Sequence, residues 1–126
     1  VDLGAHIIQA LLKETPEINS DNLNEVIMGI VVNAGVGQIP SRQAAAKAGL
    51  GIHVKSLTIN KVCASGMKSV GLAAQAIRAG DRDIMIAGGI GAIDDSHTHK
   101  KEIKEVLNKN IKKFETKIMA DNHIHL

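Results

Sequence analysis

The 126 residues carry a net charge of +2 and a single Phe, with no Tyr or Trp. So small a charge gives no pull toward nucleic acid or an anionic membrane, and no aromatic platform exists on which bases could stack. No apolar run approaches the roughly 18 to 20 residues of a spanning helix, and any core has to be aliphatic.

The first predicted element is a helix. Leu3, Ile7, Ala10 and Leu11 recur at helical spacing over residues 2–14. Thr15-Pro16 ends the run, because proline disfavours a helical residue before it. With Asp2 and no basic leader, this start does not read as a signal peptide; lacking Met, it is expected to be trimmed or partial. Val26 to Val32 is an apolar run with β-branched residues, a buried strand by length and type. The loop Asn33-Ala34-Gly35-Val36-Gly37-Gln38 follows, and Pro40 opens a short helix over Ser41 to Ala48 that Gly49 stops. Leu57 to Asn60 reads as a second strand and residues 64–79 as an Ala-rich helix ended by Gly80-Asp81. Asp83 to Ala87 is a third strand, capped by Gly88-Gly89. Strands separated by helices predict parallel pairing and a layered α/β fold.

The chain changes character near residue 93: residues 1–92 hold all 12 glycines, and the rest is rich in Lys, Asn and Ile. In that second part Ile103, Leu107, Ile111, Phe114 and Ile118 form an apolar stripe opposite Lys and Glu, which predicts an amphipathic helix from about 100 to 118. His97-x-His99 and His123-x-His125 are two short histidine pairs near Asp94, Asp95 and Asp121. A helix between them would hold the pairs roughly 30 Å apart at 1.5 Å per residue, so no specific metal site is expected.

The chemistry concentrates at Leu57-Thr58-Ile59-Asn60-Lys61-Val62-Cys63-Ala64-Ser65-Gly66-Met67-Lys68-Ser69. A strand runs into a tight connection, and the one cysteine sits where the next helix begins. First-turn N–H groups have no helical partners and carry the positive end of the helix dipole, so they favour a thiolate there. The same groups can hold an oxyanion when a thiolate attacks a carbonyl, and Lys61 and Lys68 add positive potential. The competing reading is that a lone free cysteine is usually a small buried hydrophobe. With one cysteine no intrachain disulfide forms, which fits a reducing compartment and hence a cytoplasmic protein. Gly88-Gly89-Ile90-Gly91 is not G-x-G-x-x-G and precedes no capped helix, which argues against nucleotide binding.

NKVCASGMKS resembles the nucleophile segment of thiolases, N-[KR]-[VL]-C-[GA]-S-[GS]-[LM]-[KQ]. VIMGIVVNAGVGQIPSRQAAAKAGL, GLAAQAIRAGDRDIMIAGG and VDLGAHIIQALLKE are similar to neighbouring stretches of the same family, in the right order. The resemblance covers residues 1–93, is nearest to the bacterial acetyl-CoA acetyltransferase type, and implies an incomplete layered α/β/α domain. It implies that Cys63 accepts an acyl group from an acyl-CoA and that an acetyl-CoA enolate then attacks it. Coenzyme A thioesters are then substrates, no cofactor is held permanently, and the protein is expected to be a homo-oligomer. Arg42, Gln38 and the loop around Gly37 are implied in packing and subunit contacts near the site rather than in chemistry. Related decarboxylating condensing enzymes share such a cysteine, but Asn60-Lys61-Val62-Cys63 fits thiolases better.

The family also uses a Gly-His-Pro histidine, a second cysteine in Cys-x-Gly-Gly-Gly, and an Asn-Glu-Ala-Phe segment; none occurs in these residues. After the last strand the family continues G-G-M-E-x-M-S, where this chain has Gly88-Gly89-Ile90-Gly91-Ala92-Ile93-Asp94. Residues 94–126 are therefore expected to be unrelated to thiolases, and the isolated chain to be inactive. The alternative is a non-catalytic remnant that acts, if at all, through interaction. The resemblance further implies a strand before the first helix, lying between the strands at 26–32 and 83–87. Its absence is expected to leave a gap in the hydrogen-bond ladder, with marginal stability or self-association as the result.

Overall fold

A computed structural model of the chain describes residues 1–91. Helices and strands alternate: α1 (Asp2–Glu14), β1 (Glu25–Gly29), α2 (Pro40–Lys47), β2 (Lys55–Ile59), α3 (Ser65–Arg78) and β3 (Met85–Gly89). The expected tail helix and both histidine pairs lie outside the described residues. No helix among the described residues is long and apolar enough to cross a membrane.

α1 forms over the predicted span; of the expected Leu3, Ile7, Ala10 and Leu11, Ile7 is buried and Leu11 packs against the core, but the fully buried stripe is Gly4, Ala5, Ile7 and Ile8. Gly4 explains the roll: a Cβ there would lie 2.9 Å from Ile90 Cγ2 and 3.1 Å from Ala44 Cβ, so the helix packs on its smallest face. Burying Ile7 and Ile8 contributes roughly 1.5–3 kcal/mol each. Thr15 closes the helix by donating its N–H and its Oγ1 hydrogen to Leu11 O, at 3.1 and 2.8 Å. At the other end Lys47 Nζ reaches Asp2 Oδ1 at 2.5 Å, and that hydrogen bond and charge hold the Asp2 carboxyl below its ordinary value. Both side chains are mostly exposed, so the pair stabilises the fold little.

The three strands form one parallel sheet in the order β2-β1-β3. The strand ends depart from the apolar runs for local reasons. β1 was expected to reach Val32, but its last ladder bonds are Ile30 N–H to Ile59 O at 2.9 Å and Ile90 N–H to Gly29 O at 2.7 Å. Beyond them Val31 and Val32 have no strand to pair with and are exposed. β3 was expected at 83–87 and runs two residues later. The N–H groups of Asp83 and Ile84 both donate to Asn24 Oδ1, at 2.8 and 2.9 Å, so a side chain replaces the ladder there. Gly88 and Gly89, expected as a cap, pair with Met28 and Gly29.

The expected gap in the ladder is absent. β1 pairs directly with β3 from Glu25↔Met85 to Gly29↔Gly89, and with β2 from Glu25↔Lys55 to Gly29↔Ile59. β1 is buried along its length, so an unmade ladder on either side would strand buried N–H and C=O groups, and direct pairing removes that cost. The open edges of the described sheet are β2 and the far side of β3.

Alternation along the strands sends Val26, Met28 and Ile86 to one face, where α1 and α2 contribute Ile8, Ala44 and Ala45. Leu23, Leu50, Val54 and Ile90 complete a core that is wholly aliphatic. α2 is tied to β2 by Ser41, fully buried, whose Oγ lies 2.6 Å from Thr58 Oγ1. α3 covers the opposite face, over β1 and β3.

Candidate functional site

β2 ends at Ile59 and α3 begins at Ser65, and the five residues between them carry the thiol. Val62 stands in the left-handed region, with φ +50°. For a β-branched residue this is an outlier that needs outside support. Asn60 supplies part of it: its Oδ1 accepts the Val62 N–H at 2.9 Å, while its Nδ2 donates to Val31 O at 3.0 Å. Ser65 supplies the rest: its Oγ donates to Val62 O at 2.6 Å and accepts the Lys61 N–H at 2.7 Å. The Ser65 N–H also donates to Val62 O, at 3.1 Å. Both peptide groups flanking the strained residue are thus pinned.

Cys63 follows, a free and exposed thiol two residues before the first helical residue. Ala64 is the N-cap of α3, with no side-chain cap and no acidic residue in the first turn. The N–H groups of Gly66 and Met67 donate to no acceptor among the described residues. They are the donors that a helix start leaves over, and they carry its partial positive charge. Lys61 and Lys68 are exposed on either side in sequence.

The turn is seated by close approach of backbone to backbone. A Cβ on Gly29 would lie 2.4 Å from the Ser65 carbonyl carbon, so only glycine lets α3 start there. Ser69, fully buried, shares its Oγ hydrogen between Gly66 O at 2.6 Å and Gly88 O at 2.7 Å, which ties the first turn of α3 to β3.

The other residues singled out in the sequence serve the scaffold. Arg42 donates from Nη1 to Gly51 O and Val54 O, both at 3.2 Å, and so closes the link from α2 to β2. Gln38 acts through its backbone: Gln43 Nε2 donates to Gln38 O at 2.7 Å and to Val36 O at 2.8 Å, folding the loop around Gly37. A cleft of about 360 Å³ lies between that loop and β2, lined by Asn33, Gly37, Ile39, Pro40 and Ser56 to Thr58. Cys63 is not among its lining residues. Among the described residues no group of three or more His, Cys, Asp and Glu could hold a metal ion.

Asn60, Ser65 and Gly29 were not found by sequence reasoning. An Asn three residues before a thiol and a Ser two after it carry a faint signal, since both types bond nearby backbone. The arrangement presents an exposed thiol just ahead of a helix start whose first N–H groups are unspent among the described residues; attack on a carbonyl carbon draws on a nucleophile and donors of these kinds. The turn itself, NKVCASGMKS, holds no imidazole or carboxylate that could take the thiol proton.

The family described as thiolase, N-terminal domain, matches residues 1–125. Among curated proteins, the acetyl-CoA acetyltransferase of Escherichia coli is 53% identical over 90 residues, 71% of this chain and 23% of that protein. That of Cupriavidus necator is 56% identical over 88 residues, 70% of this chain and 22% of that protein. That of Pseudomonas aeruginosa is 51% identical over 88 residues, with the same two shares. The aligned part of the chain spans less than a quarter of each relative.

Proposed function

The chain belongs to the thiolase family, and on that premise we propose that Cys63 is the acyl-accepting nucleophile of a thiolase-type acyltransferase, an acetyl-CoA C-acetyltransferase. The observation that carries the reading is the exposed thiol between β2 and α3, just ahead of a helix start whose Gly66 and Met67 N–H groups are unspent among the described residues. The names of the matched relatives supply the substrate class, coenzyme A thioesters.

In the first half-reaction the Cys63 sulfur attacks the thioester carbonyl, the bond from that carbonyl to the coenzyme A sulfur breaks, and coenzyme A leaves with the proton. In the second, the enolate of an acetyl-CoA attacks the acyl group on sulfur and Cys63 is released. The reverse sequence cleaves a 3-ketoacyl-CoA. First-turn N–H groups stabilise the negative charge in each attack. Removing the α-proton of the second acetyl-CoA needs a base, and the turn holds none, so the expectation is that the chain accepts an acyl group without turning over.

Incubating the chain with acetyl-CoA and measuring intact mass tests this. The expected result is one acetyl group, mapped to Cys63 and lost in Cys63→Ala, together with no detectable cleavage of acetoacetyl-CoA. A wild-type chain that stays unmodified under conditions where it is folded would overturn the assignment. Such a chain is the non-catalytic remnant of the second reading, favoured by the lack of a base in the turn. We place the protein in the cytoplasm because acylation needs Cys63 reduced. We further propose that it works as a homo-oligomer, with the open edge of β2 available for pairing.

A further inference from the structure

The geometry points to Asn60 and Ser65 as positioning residues that hold Val62 in its left-handed conformation and thereby keep the Cys63 thiol at the mouth of α3. The inference rests on the reading of Cys63 as the acyl acceptor, but its physical content is local. A valine at φ +50° returns to an ordinary region unless the surroundings forbid it. Val62 is well exposed, so packing does not confine it. Hydrogen bonds do. Its N–H is held by Asn60 Oδ1 and its carbonyl by both Ser65 Oγ and the Ser65 N–H. The Lys61 N–H fixes the Ser65 hydroxyl from the other side, so that its one hydrogen is directed at Val62 O.

The two clamps have different anchors. Asn60 is tied through Val31 O to the segment that follows β1, and Ser65 is buried against Gly29, the last residue of β1. The end of β1 and the residues just past it therefore set both ends of the turn. Releasing either clamp lets Val62 relax, and a change of φ there swings Cys63, the next residue, away from the first-turn N–H groups.

The test uses the full chain and the second-order rate of Cys63 alkylation by iodoacetamide, with thermal melts as the folding control. Ser65→Ala and Asn60→Ala are each expected to slow alkylation by about tenfold, the effect of losing one constraining hydrogen bond. Asn60→Asp keeps the acceptor and should recover most of the Asn60→Ala loss. The decisive variant is Val62→Gly in the Ser65→Ala background. Glycine takes positive φ without cost, so it should restore the rate if the serine acts by confining Val62. A folded Ser65→Ala that reacts at the wild-type rate, or a folded double variant no faster than Ser65→Ala, would overturn the proposal. Should Ser65→Ala fail to fold, Asn60→Ala and Val62→Gly/Asn60→Ala carry the same comparison at an exposed position. Acetylation of the wild-type chain is scored in parallel. Its absence with the alkylation pattern intact would remove the acyl-acceptor role and leave the clamp standing.

Discussion

A methyl group on residue 29 would have nowhere to go. Its nearest neighbours are the Ser65 carbonyl carbon at 2.4 Å and its oxygen at 2.6 Å, backbone atoms that cannot swing aside as a side chain does. Gly29→Ala therefore forces α3 off the sheet, and overpacking of this kind costs roughly 1–3 kcal/mol. Urea unfolding should show the loss, and Cys63 alkylation should slow with it, because the helix start moves. Neither consequence could be read from the sequence. A glycine in the middle of the apolar run from Val26 to Val32 reads as an ordinary strand residue, and only the three-dimensional approach of Ser65 makes it obligatory. The thiol differs: the placement of Cys63 between a strand and a helix was legible from the order of residue types around it. Its supports were not, because they depend on the sign of one backbone angle at Val62, and a valine gives no hint of it.

Helices and strands came out in the expected order, since apolar periodicity and the punctuation at Pro16, Pro40, Gly49 and Gly80 mark them without tertiary help. Boundaries failed where side chains took over backbone bonding. Asn24 is the clearest case: its backbone N–H donates to Ile84 O at 2.9 Å and its carbonyl accepts the Lys55 N–H at 3.0 Å, so it belongs to the ladder. Its side chain then takes the next two N–H groups of the incoming strand. Asn24→Ala is expected to cost about 1–3 kcal/mol, the penalty for freeing donors at a partly buried strand entry. Hydrogen exchange should localise the change to the Asp83 and Ile84 amides, with β2 unaffected. An equal rise in exchange across all three strands would show that Asn24 has no special hold on β3.

For the molecule as a whole, the unexpected feature is the direct contact of β1 with β3. The resemblance placed another strand between them, and nothing in the residues of either strand could show that they pair without it. With that ladder closed, a strand of a second copy could pair only at an outer edge of the described sheet. β2 offers one, with Leu57 exposed on it and Ser56 Oγ buried beside the cleft with no hydrogen-bond partner among the described residues. Light scattering on the purified chain should give a dimer, and Leu57→Lys on that edge should return it to a monomer. A monomeric wild-type chain at high concentration would remove β2 as the contact. We also propose that the composition break near residue 93 is a domain boundary. Limited proteolysis that leaves a stable product ending close to residue 93 is the expected sign of it.

Two glycines meet in register at the end of the ladder, Gly29 on β1 and Gly89 on β3, and Gly29 lies against the Ser65 backbone at the start of α3. A slip of β1 by one position would put Met28 or Ile30 into the space that the Ser65 backbone occupies. The helix could not then settle, and the turn ahead of it would have no frame. Alkylation of Cys63 thus doubles as a readout of assembly: misaligned molecules are expected to react at the rate of an unstructured thiol, and correctly aligned ones at a rate set by the turn.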